Sequence, residues 1–268
     1  MSPSRRVVVF SDLDGTLLEI GDYPLREAEP ALQRLRSEGI PLVLCTSKTF
    51  AEVEWYRDRL RNTQPFIVES GGAIYIPKGY FPFSFDYDDV VGRYLVLRLG
   101  GTYQEMVLAL EEVAECTGVA LRGFSDMSAE EIADVSSLTL DQANRAKQRD
   151  HDEPFLILDP ANARLVEQSS RFPLTWGGRF HHLNTSDKGR AVSKLIDMYR
   201  KMDADILTVG LGDCVNDLPM LQCVDVPILV QGENGAHDPE VVLPGLRRAS
   251  AVGAAGLRQE LLSLLAQK

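Results

Sequence analysis

The chain has 268 residues, a formal net charge of -11 and four cysteines. With 44% hydrophobic residues it can bury a packed core, which excludes a disordered chain, and its acidity argues against a nucleic-acid-binding surface. No apolar stretch approaches membrane-spanning length, and Cys45, Cys116, Cys214 and Cys223, which share no paired spacing, read as reduced thiols of a cytoplasmic protein.

Val7–Ser11 is a continuous apolar run of the kind that buried parallel strands carry. Helical periodicity follows over Leu25–Ser37 and closes at Gly39. A second buried strand is predicted at Pro41–Cys45, a helix at Phe50–Leu60 and a third strand at Phe66–Val68. Gly71-Gly72 marks a hairpin turn into a strand at Ala73–Ile76. The middle has α+β character: a strand at Tyr94–Leu99, a helix at Tyr103–Cys116 before Gly118, and capping boxes at Ser128 and Thr139 that open two further helices. Beyond them come a strand at Phe155–Leu158, a helix at Ala161–Arg171 and a strand at Leu174–Leu183 interrupted by Gly177-Gly178. The α/β rhythm returns with a helix at Lys188–Met202, strands at Ile206–Leu211 and Val226–Val230, and a helix at Leu257–Leu265. Together these segments predict an α/β fold with a doubly wound, parallel-sheet (Rossmann-like) core from 1–82 and 183–268, interrupted by an inserted α/β cap at 83–182.

Open α/β sheets bind ligands at the carboxyl ends of their strands. Ser11-Asp12-Leu13-Asp14-Gly15-Thr16 follows the first strand, Thr46 the second, and Gly212-Asp213 the Ile206 strand, while Lys188 opens the helix before that strand. Carboxylates as close as Asp12 and Asp14 repel one another, and Asp is a poor strand residue, so a cation and an anionic substrate are implied. Asp12 reads as a carboxylate nucleophile toward phosphorus that forms an aspartyl-phosphate. Asp14 is placed to act as general acid and then as general base for water. Gly15 lets the backbone turn so that N–H groups face the phosphate. Asp12, the Asp14 carbonyl and Asp213 form a hard-oxygen set suited to magnesium. Lys188 and the Thr46 hydroxyl would hold the equatorial phosphate oxygens, with Asp217 orienting Lys188 or a metal-bound water.

Competing readings fit less well. A calcium loop in its usual form requires Gly at the sixth position from Asp12, where Leu17 stands. Gly210-Leu-Gly212 lacks the third glycine of a dinucleotide fingerprint, since Val215 occupies that place. His181 and His182 fall on opposite faces of a strand, so at most one points into a given cleft.

The set Asp12-Leu-Asp14-Gly-Thr16, Thr46, Lys188 and Gly212-Asp213-Cys-Val-Asn216-Asp217 resembles the four motifs of the haloacid dehalogenase-like phosphatases. The long span between Thr46 and Lys188 is similar to that of their Cof-like subgroup, whose large α/β caps close over the site. Within it the chain resembles the mannosyl-3-phosphoglycerate phosphatase family. The resemblance runs through Thr46-Ser-Lys-Thr49, Pro65–Tyr75, Ala146–Phe155, Gly177-Gly-Arg-Phe-His-His182 and Ser186-Asp-Lys-Gly-Arg-Ala191, with Ser70 where the family usually has Asn. It implies magnesium-dependent hydrolysis of mannosyl- or glucosyl-3-phosphoglycerate to glycosylglycerate, a compatible solute. The partner would be that small phosphorylated glycosylglycerate, with no nucleic acid or membrane, and the enzyme a monomer or homodimer. Ser47, Lys48, Arg145, Arg149 and Arg179 would line the substrate site, the cations meeting its carboxylate. Glu69, Ser70 and His182 would meet the sugar hydroxyls. The residues leave open a phosphotransferase or phosphomutase with the same aspartyl-phosphate, and a related phosphatase for sucrose phosphate or phosphoglycolate. A receiver that stores phosphate on Asp12 is opposed by Asp14, which would hasten its loss.

Overall fold

A computed structural model describes residues 5–18, 25–177 and 180–267. The first half runs β1 (Arg6–Ser11), α1 (Glu29–Ser37), β2 (Leu42–Cys45), α2 (Phe50–Leu60), β3 (Phe66–Val68), β4 (Ala73–Pro77), β5 (Asp89–Val91) and β6 (Tyr94–Arg98). Next come α3 (Tyr103–Thr117), β7 (Leu121–Gly123), α4 (Ala129–Ser136), α5 (Leu140–Ala146), β8 (Glu153–Ile157), α6 (Ala163–Ser169), β9 (Leu174–Gly177) and β10 (Phe180–Leu183). The last part is α7 (Lys188–Met202), β11 (Ile206–Gly212), α8 (Leu218–Leu221), β12 (Val226–Gln231), β13 (Arg247–Val252) and α9 (Gly253–Ala266).

Among the described residues the strands form a nine-stranded sheet, β13-β12-β11-β1-β2-β3-β4-β6-β5, and a four-stranded sheet, β7-β8-β10-β9. β13 through β3 run parallel, whereas β4, β5 and β6 extend the sheet antiparallel. β1 lies between β2 and β11, so the chain winds outward from it in both directions. Its side chains are buried on both faces: Val7 and Val9 pack with α1, α2 and α9, and Val8 and Phe10 with α7 and α8. This is why β1 reads as an unbroken apolar run.

The smaller sheet is antiparallel. One of its faces carries Phe155, Ile157 and Leu183 against α3 and α6, and the other packs Phe180 and Leu156 with α4 and α5. Capping boxes at Ser128 and Thr139 start α4 and α5 as the spacing predicts.

Three expectations shift. Helix α1 begins at Glu29, with Pro30 in its first turn, so the predicted Leu25 start gives way to a turn at 25–28. The segment Leu174–Leu183 is a hairpin of β9 and β10 rather than one broken strand. The cap was expected to open at 83, but β5 and β6 pair into the large sheet through β4, so the second sheet and its helices follow Arg98.

One close contact fixes the start of α7. Gly71, at φ +97°, lies so near the preceding segment that a Cβ there would sit 2.1 Å from the carbonyl oxygen of Asp187. Asp187 is the N-cap of α7, accepting a hydrogen bond from the Arg190 N–H at 2.8 Å. Gly71→Ala should therefore destabilise the fold by about 3 kcal/mol through clash and left-handed strain. Urea unfolding measures it, and a loss within about 0.5 kcal/mol of zero would contradict the packing described.

Candidate active site

Asp12, Thr46 and Asp213 stand just beyond the carboxyl ends of the neighbouring parallel strands β1, β2 and β11. This is the point where the strand order reverses, and crevices in doubly wound sheets open there. The Asp12 N–H still donates to the Leu211 carbonyl at 3.0 Å, and the Thr46 N–H to Ile67 at 3.2 Å, so the sheet ladder fixes both residues.

Lys188 is the first residue of α7 and is buried. Its ammonium donates to Asp12 Oδ1 and to Asp217 Oδ1, each at 2.7 Å. Asp217 in turn accepts from the Asp213 N–H through Oδ2 at 2.9 Å. Burial opposes the charge on Lys188, but Asp12 and Asp217 outweigh it and hold the ammonium well above the ordinary lysine range. Burial pushes Asp12 upward; Lys188 pulls against it, while Asp217, Asp213 and Asp14 push further. Asp213 is driven up to about 7 by burial and then by Asp217. Three carboxylates crowd one lysine, and the balance calls for a further cation.

The donors fit magnesium. Asp217 is committed to Lys188 and to the backbone of Asp213, which leaves Asp12, the Asp14 carbonyl and Asp213 as the hard-oxygen set. Cys214 Sγ lies within 4.8 Å of ligand atoms of Asp213 and Asp217, but a thiol is a soft donor and suits this ion poorly. Gly15, at φ +73°, forms the cradle: a Cβ on it would stand 2.6 Å from Asp213 Oδ2. Thr16 Oγ1 donates to Asp213 Oδ1 at 3.4 Å and helps to orient it. Asn216 lies part-buried in the turn Val215–Asp217.

Other predicted residues group around this centre. Asp14 is exposed and pairs with Lys48 at 2.9 Å, and Lys48 reaches Glu52 at 3.5 Å. The buried Thr46 hydroxyl accepts the Lys48 N–H at 3.2 Å. From the smaller sheet's side, the part-buried Arg149 donates to the Ser47 carbonyl at 2.9 Å and pairs with Asp152 at 3.0 Å. Asp152 also holds His182 Nδ1 at 2.7 Å. His181 turns to the other face, against Phe155 and Trp176. Arg145 leans on the Trp55 ring and pairs with Asp141 at 2.7 Å, while its carbonyl accepts from the Thr49 hydroxyl at 2.9 Å. Arg179 lies outside the described residues.

Glu69 departs from expectation. It was expected to meet the sugar, yet it is fully buried and its carboxylate is spent on the backbone N–H groups of Asp150, His151 and Asp152. Burial, with the Asp152 charge, drives it up to about 8 against the pull of Arg149 and the N–H groups of His151 and Asp150. Glu69 and Ser70 are both left-handed, at φ 47° and 53°, a conformation that costs about 1–3 kcal/mol per residue. Ser70 donates its N–H to the Thr46 carbonyl at 2.9 Å, and its buried Oγ has no hydrogen-bond partner among the described residues.

Asp152 was not singled out from the sequence. It is fully buried between Arg149 and His182, with Oδ1 unpartnered among the described residues. No motif spacing announces it; it lies within the segment Ala146–Phe155 that carries the family resemblance, beside Arg149.

The profile of haloacid dehalogenase-like hydrolases matches residues 9–85. A glucosyl-3-phosphoglycerate/mannosyl-3-phosphoglycerate phosphatase of Methanococcoides burtonii is 39% identical over 265 residues, covering 96% of this chain and 97% of its own length. The protein of the same description from Persephonella marina is 41% identical over 265 residues, at 97% of each chain. The mannosyl-3-phosphoglycerate phosphatase of Pyrococcus furiosus is 36% identical over 224 residues, 83% of this chain and 90% of its own. Among solved structures, a Thermoplasma acidophilum protein superposes with a TM-score of 0.69 at 17% identity, covering 97% of this chain and 99% of its own, and shares the fold.

The Asp12–Lys188–Asp217 arrangement has a measurable consequence. Lys188→Met leaves two buried carboxylates without their cation, and should destabilise the protein by about 3 kcal/mol in urea unfolding with a chelator present. A loss below about 1 kcal/mol would show that the lysine carries little of the local charge balance.

Proposed function

The chain belongs to the glucosyl/mannosyl-3-phosphoglycerate phosphatases of the haloacid dehalogenase-like hydrolases, and from that premise we propose that it hydrolyses such a glycosyl-3-phosphoglycerate to glycosylglycerate and phosphate. The observation that carries the reading is the Asp12 carboxylate at the strand switch point, tied through Oδ1 to a buried lysine at 2.7 Å.

In this reading Asp12 attacks phosphorus and forms an aspartyl-phosphate, and the C3 oxygen of the glycerate departs. Asp14 delivers a proton to that oxygen, then takes one from the water that attacks phosphorus and frees Asp12. Asp14 is engaged by Lys48, so its role as donor requires that pair to be exchanged. The substrate's own carboxylate is a suitable exchange partner for Lys48, which couples correct binding to release of the acid. Lys188 and the Thr46 hydroxyl stabilise charge on the transferred group. Magnesium held by Asp12, the Asp14 carbonyl and Asp213 would neutralise the phosphoryl oxygens.

Recognition of the remainder falls to Arg149, with its carboxylate-matching fork, and to His182, set by Asp152. Arg145, Arg179, Ser47 and Ser70 complete the proposed lining. Among the described residues no helix is long and apolar enough to cross a membrane. The reading carries with it a cytoplasmic enzyme acting as a monomer or homodimer.

Phosphate release with magnesium should favour mannosyl- and glucosyl-3-phosphoglycerate over sucrose phosphate, phosphoglycolate and simple hexose phosphates by about 10²-fold in kcat/KM. A preference for a hexose phosphate would overturn the substrate assignment. A chelator should abolish activity and added magnesium restore it. Asp14→Asn should lower kcat by about 10²-fold or more, and unchanged turnover would remove Asp14 from the mechanism.

A further inference from the structure

Glu69 makes contacts that no role in substrate binding explains. Asp150, His151 and Asp152, consecutive residues leading into β8, turn their backbone N–H groups onto its carboxylate at 2.8 to 3.1 Å. Successive N–H groups arranged this way form an anion nest, and here a side chain of the large-sheet body fills a nest on the small-sheet body. The Glu69 carbonyl accepts from Asn184 Nδ2 at 2.6 Å, just after β10, and its N–H donates to the Lys48 carbonyl at 2.9 Å. Three residues on, the Gly72 carbonyl accepts the N–H groups of Leu99 and Gly100 at 2.8 and 2.9 Å. The Gly101 N–H meets Thr185 Oγ1, so the two chain crossings between the sheets are themselves paired.

Both crossings and the loop feeding β8 therefore converge on the turn 69–72. That turn is left-handed at Glu69, Ser70 and Gly71, a backbone path the surrounding contacts must hold in place. On one side, Ser70 donates to the Thr46 carbonyl and so reaches the proposed phosphate site. On the other, the loop that Glu69 grips carries Asp152, which holds Arg149 and His182.

We infer that Glu69 is a positioning residue: its carboxylate, seated in the 150–152 nest, sets the register of Arg149 and His182 against Asp12 and Thr46. The inference rests on the proposed function for the identity of the two half-sites. It requires a carboxylate of glutamate's length. Aspartate is one methylene too short to span the gap, and glutamine retains one acceptor but turns an NH2 toward N–H donors.

Two substrates separate this role from general support of the fold. p-Nitrophenyl phosphate has no glycerate or sugar, so it draws on the phosphoryl half-site alone, whereas mannosyl-3-phosphoglycerate needs both halves in register. Glu69→Ala should raise KM for mannosyl-3-phosphoglycerate about tenfold or more, and lower its kcat/KM by at least that factor relative to p-nitrophenyl phosphate. Glu69→Gln should fall between Ala and wild type. Equal loss on both substrates, or no loss on either, overturns the inference. Should the alanine variant fail to fold, Glu69→Gln is read in the same ratio, together with amide hydrogen exchange by NMR. Faster exchange confined to 150–152 and the amides of the two neighbouring crossings supports the nest, and unchanged protection there contradicts it. If the wild-type enzyme ignores glycosyl-phosphoglycerates altogether, the substrate assignment fails by itself. The inference then stands or falls on the exchange at 150–152.

Discussion

A lysine buried between two carboxylates governs this architecture. Lys188 bridges Asp12 and Asp217 at 2.7 Å each, and charge taken out of water is tolerated only where geometry is tightly held. The strands on either side of the contact provide that geometry. β1 carries Asp12 out of the sheet, β11 carries Asp213 beside it, and the turn after β11 returns Asp217 beneath both. Helix α7 must start at one place for its first residue to reach the pair, and the Gly71 turn packed on Asp187 fixes that start. Holding that buried charge thus reaches back into glycine placement, helix capping and strand order.

The two sheets divide the chemistry. In the proposed function, residues at the strand ends of the large sheet bind and transfer the phosphoryl group without reference to what bears it. In that same reading Arg149 and His182, reached through the smaller sheet and held by Asp152, are the residues assigned to the remainder of the substrate. Between them lies the strained turn at Glu69 and Ser70, which touches the backbone of both. Strain at such a junction is stable because contacts from several directions over-determine it.

Much of this was legible in the sequence wherever the signal is local. β1 announced itself as an apolar run ending in Asp12-Leu-Asp14-Gly, and the Ser128 and Thr139 boxes marked helix starts to the residue. Convergence of Asp12, Thr46, Lys188 and Asp213 followed from one rule about strand ends. What escaped depends on distant partners. Tyr94–Leu99 was recognisable as a strand, but its pairing with β4, which draws it into the large sheet, leaves no periodic trace. β13, Arg247–Val252, sits at the edge of the sheet with mostly polar or small residues and lacks an apolar run. Glu69 and its nest lie 81 to 83 residues apart, so a carboxylate beside the site looked like a sugar ligand until its partners were seen.

In the proposed reaction Asp12 becomes covalently phosphorylated. Two successive in-line displacements at phosphorus, first by Asp12 and then by water, each invert its configuration. The stereochemical course of hydrolysis of a chirally labelled phosphate ester in isotopic water reads this directly. Net retention at phosphorus is expected; net inversion would mean that water attacks the substrate in one step and that Asp12 only binds.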